Sequence, residues 1–309
     1  MAAHTAPKLR LLEQWSRGVA EIAAAQRGPG FVPALLASVK RLVDFDFVMV
    51  FAYSGTARPL TLADTLDPDR HTIIAEDYAD GPFLLDPFFR LVEEGMRAGC
   101  HRLHDIAPDH FRRSEYFRIH YGRTGIGEEI GVFFDIGGGL TGVTSFGRWD
   151  SSPPITRADL DLLRALEPAI GALCAAHWSN LHARREVPQP RTVHPAFKSL
   201  TLREREIVTT VLRGHSTESI AMQLSISPGT VKIHRKNIYR KLKVSTQAEL
   251  FAAFLGLSTQ AYSPGDMAEA AQIPQHRRKS RQSEEETHVE ELVQRLAAIL
   301  SAADQGHGP

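Results

Sequence analysis

Residues 227–242 read SPGTVKIHRKNIYRKL, with six basic side chains between Lys232 and Lys241. Lys232, Ile233, Lys236, Asn237 and Arg240 recur at three- and four-residue steps, so a helix would gather them on one face. Val231, Ile238 and Leu242 fall on the opposite side and must pack inward. The gathered face offers long donors and one apolar side chain, but no carboxylate. Solvated helix faces usually interleave both signs, so a face of one sign suits a polyanion better than water alone. Lys and Asn donate to base edges in a major groove, and an apolar side chain can touch a thymine methyl. His234, Arg235 and Lys241 flank the face within reach of phosphates.

A second group of residues crowds the first half of the chain. Phe47, Met49, Phe51 and Tyr53 alternate, so in a strand they share one side. Tyr78, Phe83, Phe88, Phe89, Tyr116 and Tyr121 add further rings. An apolar surface with a few polar anchors is how small molecules are held. The ligand-binding candidates are Phe47, Met49, Phe51, Tyr53, Tyr78, Asp86, Tyr116, Arg123 and Glu129. For any single ring the simpler role is core packing. Asp86 also reads as a helix N-cap, because Pro87 follows it at the first helical position.

Other groups lead nowhere catalytic. His101, His104 and Asp105 are near one another but lack a spacing that fixes a metal geometry, so neither metal nor cofactor is expected. Gly137-Gly138-Gly139 reads as a hairpin turn, since no helix follows it. No nucleophile–base pair or acid–base pair is recognisable, so the chain does not read as an enzyme. Cys100 and Cys174 are too few for a disulfide framework and read as free, buried thiols.

These residues need elements to hold them. Helices are expected over residues 8–26, 31–41, 72–78, 87–96, 109–121 and 159–185. Strands are expected over 45–53 and 59–65, and a hairpin pair over 130–136 and 141–148. That is an α/β domain over residues 1–185, an antiparallel sheet flanked by helices. Three prolines then mark a linker over 186–196. Residues 197–257 read as all-helical: Thr201 and Glu204 make a capping box, and Leu202, Ile207, Val208, Val211 and Leu212 form an apolar side. Gly214 ends that helix, Ile220, Ala221 and Leu224 line a short second one, and Ser227-Pro228 opens the charged third. A fourth follows from Thr246. Helix, short helix, tight turn and charged helix make a helix-turn-helix module of four helices. Residues 258–283 read as a disordered linker and 284–303 as an amphipathic helix.

The chain of 309 residues has zero formal net charge. Residues 197–256 nevertheless hold ten Lys or Arg and four Asp or Glu, a local surplus of six positive charges. The N-terminus lacks the apolar region of a secretory signal, and no run is long enough to span a bilayer, so a soluble, cytoplasmic protein without membrane contact is expected.

The segment from Leu200 to Ala252 resembles the DNA-binding domain of LuxR/FixJ/NarL-type (GerE-like) transcriptional regulators. It carries Leu-Thr-x-Arg-Glu at 200–204, Gly214, Ile-Ala-x-x-Leu at 220–224, Ser227-x-x-Thr-Val-Lys-x-His234 and Lys241-Leu242. The resemblance implies that Lys232, Ile233 and Lys236 face base edges, with Thr230, Arg235, Asn237 and Arg240 near the DNA backbone. It implies binding to double-stranded promoter or operator DNA as a homodimer, with RNA polymerase as a partner. It also implies that Glu204 supports the fold and can pair with a basic residue. The first domain resembles the GAF/PAS-like sandwich of the sensory halves of such regulators. Tyr78 to Asp86-Pro87 is similar to a stretch of acyl-homoserine-lactone receptors, as is 126–133 to a strand there. The pocket tryptophans of those receptors are absent and the spacing around Asp86 differs. The expected function is therefore a DNA-binding regulator controlled by a small-molecule effector. The rival is a regulator with no small ligand, set by a protein partner or by abundance.

Overall fold

A computed structural model of the chain describes residues 5–184 and 195–256. The first helices are α1 (Thr5–Ala24) and α2 (Phe31–Lys40), followed by strands β1 (Phe47–Tyr53) and β2 (Leu60–Asp64). A mostly helical excursion comes next. It holds α3 (Pro68–His71), a π-helical turn Thr72–Asp77, a 3-10 turn Pro82–Leu85 and α4 (Pro87–Glu93). Strand β3 (Gly99–Arg102), α5 (Leu103–Ile106) and α6 (Gly122–Thr124) precede the long hairpin β4 (Ile126–Gly137) and β5 (Leu140–Trp149). Helix α7 (Arg157–Trp178) completes the α/β part.

The five strands form an antiparallel sheet in the order β2-β1-β5-β4-β3. Alternation splits their side chains between two layers. Val48, Val50, Ala52, Val132 and Phe134 pack against Ile22, Phe31, Leu35 and Val39 from α1 and α2, and against Leu163, Leu166 and Ile170 from α7. Phe47, Met49, Phe51 and Tyr53 face the other way, under the helical excursion. The three central glycines of the β4–β5 turn all have positive φ, the backbone that a tight hairpin needs and that a side chain would strain. On β5, Gly147 lies opposite Phe47, and a Cβ there would sit 2.0 Å from the ring, so the glycine makes room for an aromatic.

Local signals placed most elements, with informative exceptions. Residues 109–121 do not form one helix; they hold a 3-10 turn at Phe111–Arg113 and a π-helical turn at Phe117–Tyr121. Ser114 sits between them and is buried, its hydroxyl bonded to Phe111 O at 2.7 Å and accepting from Phe117 N at 3.0 Å. That side chain competes with a continuous helix. Helix α7 ends at Trp178 and continues as a 3-10 segment Ser179–Arg184. The Cys100-His101 stretch is edge strand β3, paired with residues 130–133 of β4.

The second part holds α8 (Leu202–Arg213), α9 (Thr217–Gln223), α10 (Pro228–Leu242) and α11 (Gln247–Leu255). Each begins at a side-chain cap: Thr201, Ser216, Ser227 and Thr246 accept from the third helical backbone N–H. Ile207, Val208, Leu212, Ile220, Val231, Ile238 and Phe251 form its interior. Leu202 corrects the expected apolar side, because it is 77% exposed while Glu204 is buried. Leu202 occupies the first helical position, and Glu204 is drawn inward to complete the cap with Thr201. Both parts belong to one compact unit of chain. The expected linker over 258–283 and helix over 284–303 lie outside the described residues, as does residue stretch 185–194 of the Pro-rich linker.

Candidate nucleic-acid interface and sensor face

The charged helix starts where its sequence says it should. Ser227 Oγ accepts from Thr230 N at 3.0 Å and Pro228 takes the first helical position. Its end is set by Lys243, in the left-handed conformation at φ 55°. Val231 and Ile238 are fully buried and fix the helix's rotation about its axis. Burial of side chains of this size stabilises by about 1.5–3 kcal/mol each. Lys232, Ile233, Lys236 and Arg240 are consequently exposed, and Ile233 is 63% exposed despite being apolar. Arg235, Asn237, Thr230 and His234 are half-buried at the margins of that face. Arg240 donates to Asn237 Oδ1 at 3.1 Å, so these two groups present a joined edge. The Thr230 hydroxyl lies 2.8 Å from Ser227 Oγ.

The platform beneath is tied by charge. Lys241 Nζ donates to the buried Glu204 carboxylate at 2.7 Å, and Glu204 also accepts from Thr201 N at 2.8 Å. Burial alone would raise the Glu204 carboxyl; the Lys241 and Thr201 hydrogen bonds overcome that and hold it below the usual range.

On the inner sheet face the candidate ligand residues meet in a ring-lined cluster. Phe47, Met49, Phe51, Tyr53, Tyr78 and Tyr116 are all buried. Tyr53 and Tyr78 hydroxyls lie 2.7 Å apart, and Tyr116 donates to Asp86 Oδ2 at 2.7 Å. Asp86 also caps α4, accepting from Phe88 N at 2.6 Å. Tyr121 donates to Glu129 Oε2 at 2.7 Å. Burial, with Asp86 adding to it, pushes the Glu129 carboxyl up to about 7. Burial likewise raises Asp86 despite its donors, and burial with the nearby Arg123 charge lowers His120 to about 4. Arg123 is half-buried beside Asp77 and His120 rather than within the tyrosine–carboxylate network.

Burial holds the thiols of Cys100 and Cys174 up near about 12, and both are free. Among the described residues no group of three His, Cys, Asp or Glu is placed to hold a metal, and no helix is long and apolar enough to cross a membrane.

The residues that join the two parts were not among the sequence candidates. Asp109 Oδ1 accepts from Ser216 N at 3.0 Å, and His110 N donates to Gly214 O at 2.8 Å. Arg213 donates to Leu84 O at 3.1 Å and pairs with Glu93. No local pattern announces these pairs, since 104 to 129 residues separate the partners along the chain and only folding brings them together.

An α/β domain joined to a capped four-helix module with an exposed cationic third helix defines a two-domain helix-turn-helix regulator. The family model "Bacterial regulatory proteins, luxR family" matches residues 198–254. The HTH-type transcriptional regulator of the exeN 3′ region in Aeromonas salmonicida is 34% identical over 183 residues, covering 55% of this chain and 93% of that one. The chain belongs to the luxR family of transcriptional regulators. The response regulator TodT of Pseudomonas putida is 38% identical over 84 residues, only 27% of this chain and 37% of TodT. Among solved structures, the VqsR LBD domain of Pseudomonas aeruginosa is 22% identical, with a TM-score of 0.46, covering 53% of this chain and 97% of that one. The N-acylhomoserine lactone dependent factor CepR2 of Burkholderia cenocepacia is 15% identical, with a TM-score of 0.43, covering 57% of this chain and 99% of that one.

Proposed function

We propose that the chain binds double-stranded DNA sequence-specifically as a homodimer, and that a small molecule held by the α/β domain controls this binding. The observation that carries the DNA reading is the α10 face: Lys232, Lys236 and Arg240 exposed around a 63% exposed Ile233, with no carboxylate among them. Lys232, Ile233 and Lys236 meet base edges in this reading, while Thr230, Arg235, Asn237 and Arg240 meet the backbone. Two such helices in a dimer would address half-sites about one helical turn apart, roughly 34–36 Å. RNA polymerase at the same promoter is the second partner of this reading. The buried tyrosine–carboxylate cluster under the sheet supports effector control, because a domain built only for dimerisation has no need of two buried carboxylates at a cost in stability.

Selection of the full chain against a random duplex pool tests the DNA reading. Enrichment of a two-part motif with half-sites about ten base pairs apart is expected. No enrichment over the starting pool overturns it. Mass spectrometry of compounds released on denaturing protein purified from its native host tests effector control; a stoichiometric compound supports it. Its absence, together with no melting response to metabolites, favours control by a protein partner.

A further inference from the structure

A cavity of about 420 Å³ opens beside the start of β4, where residues 102–113 fold back against the sheet. Its volume is in the range of small-molecule sites. Its inner wall is apolar, built by Leu103, Phe111, Phe117 and Tyr121, of which Leu103, Phe111 and Tyr121 are buried. Its polar lining holds three arginines and three carboxylates, and two of the arginines have no carboxylate partner among the described residues. Of its three carboxylates, Glu128 is paired with Arg102 and accepts from Ile155 N, while Asp109 stays ionised and is turned to Ser216 N. Glu129 is bonded to Tyr121 and sits pushed up to about 7, so near neutrality it carries much less than a full charge. Arg112 and Arg113 line the cavity, exposed, with no carboxylate paired to either among the described residues. The Nε–H of Arg102 is buried and without an acceptor there.

We propose that this cavity is the effector site, that it takes an organic carboxylate with an aryl or medium-length acyl body, and that its occupancy is felt by the helix-turn-helix module. The body lies against Phe111 and Phe117 and the carboxylate meets the arginines. The coupling runs through two hydrogen bonds. Asp109 and His110 belong to the wall of the cavity, and the same two residues hold the α8–α9 turn at Ser216 and Gly214. Phe111 presses on that turn too: a Cβ on Gly214 would sit 2.8 Å from Phe111 Cα. A ligand that shifts residues 109–111 therefore shifts the support of the DNA-binding helices. This inference rests on the effector-control reading above and gives it a location and a ligand class.

The test uses the full chain with decanoate and 4-phenylbutyrate, and their methyl esters as uncharged matches. Calorimetry should show both carboxylates binding, the esters at least tenfold more weakly, and R112Q/R113Q weakening the carboxylates at least tenfold with its melting temperature unchanged. Binding of decanoate should change the affinity for the selected DNA motif by fivefold or more. No binding by either acid, equal binding of the esters, or an unaffected R112Q/R113Q overturns the site; bound acid with unchanged DNA affinity overturns the coupling. A compound retained from the native host by R112Q/R113Q as well as by the wild type would sink this site and leave effector control standing. No retained compound and no binding acid would sink both.

Discussion

Lys241 and Glu204, 37 positions apart, meet at 2.7 Å, so that the last turn of α10 is anchored to the first turn of α8. Glu204 is almost fully buried while Lys241 keeps about a third of its side chain in water. The pair therefore resists solvent screening better than an ordinary surface bridge. It sets the tilt of the helix that carries the cationic face. Lys241→Met should lower stability by roughly 1.5–3 kcal/mol, the usual worth of a charge-assisted hydrogen bond to a buried group, as read by urea denaturation. Because the folded carboxyl sits below its unfolded value, the contribution is present above about pH 4.5 and is lost as pH falls through the folded value. Wild-type and variant stabilities should converge at the acid end of the titration; a constant gap would contradict the pair's role.

On the DNA face, Lys236→Ala should weaken binding to the selected motif by about 1–3 kcal/mol and relax specificity at one position. Arg240→Ala should instead weaken binding to all sequences alike and reduce the slope of log affinity against log salt by about one unit. Filter binding at several salt concentrations separates the two. Equal behaviour of both variants would remove the division between base and backbone contacts.

Glu129 should make the protein less stable as pH rises from about 4.5 towards 7. In the unfolded chain it ionises near 4.5; folded, it keeps its proton to about 7. Its stabilising share is thus whole below the unfolded value and is lost as pH climbs through the folded one. His120 runs the other way over the same window, since its folded value of about 4 lies below its ordinary value of 6.5. Comparing Glu129→Gln with wild type cancels the histidine. The difference in stability should change by on the order of 1–3 kcal/mol between pH 4.5 and 7. A pH-independent difference would mean that Glu129 takes up its proton alike in the folded and unfolded chain.

Gly214 carries φ 93° at the C-terminal end of α8 and lies against Phe111. Gly214→Ala should cost at least about 1 kcal/mol from backbone strain alone, and more from the close approach to Phe111. Limited proteolysis of the full chain should also accelerate, because the contact joining the two parts is weakened. Unchanged stability and cleavage would show that Phe111 does not bear on the turn.

How much of this was legible in the sequence depends on how local each signal is. The helix-turn-helix module was readable almost residue by residue: its caps at Thr201 and Ser227, its breaker at Gly214 and its sign-pure face all lie within a few positions of the structure they dictate. The alternation of Phe47, Met49, Phe51 and Tyr53 likewise fixed which side chains share a sheet face. Residues 109–121 misled, because their helical composition loses to the Ser114 side chain's hydrogen bonds to the neighbouring backbone.

Charge and spacing by themselves determined the helix-turn-helix module, its sign-pure cationic helix and the sheet's two faces. Those features rest on backbone periodicity and short-range hydrogen bonds, which the chain writes in order. The tertiary structure alone decided that Leu202 turns outward, that Asp86 and Glu129 are buried among tyrosines, and that Asp109, His110 and Arg213 fasten the DNA-binding helices to the α/β domain. Each of these joins residues far apart in sequence. Such pairings are set by which packed arrangement satisfies the most buried polar groups at once, a condition on the whole fold that no short stretch of residues expresses.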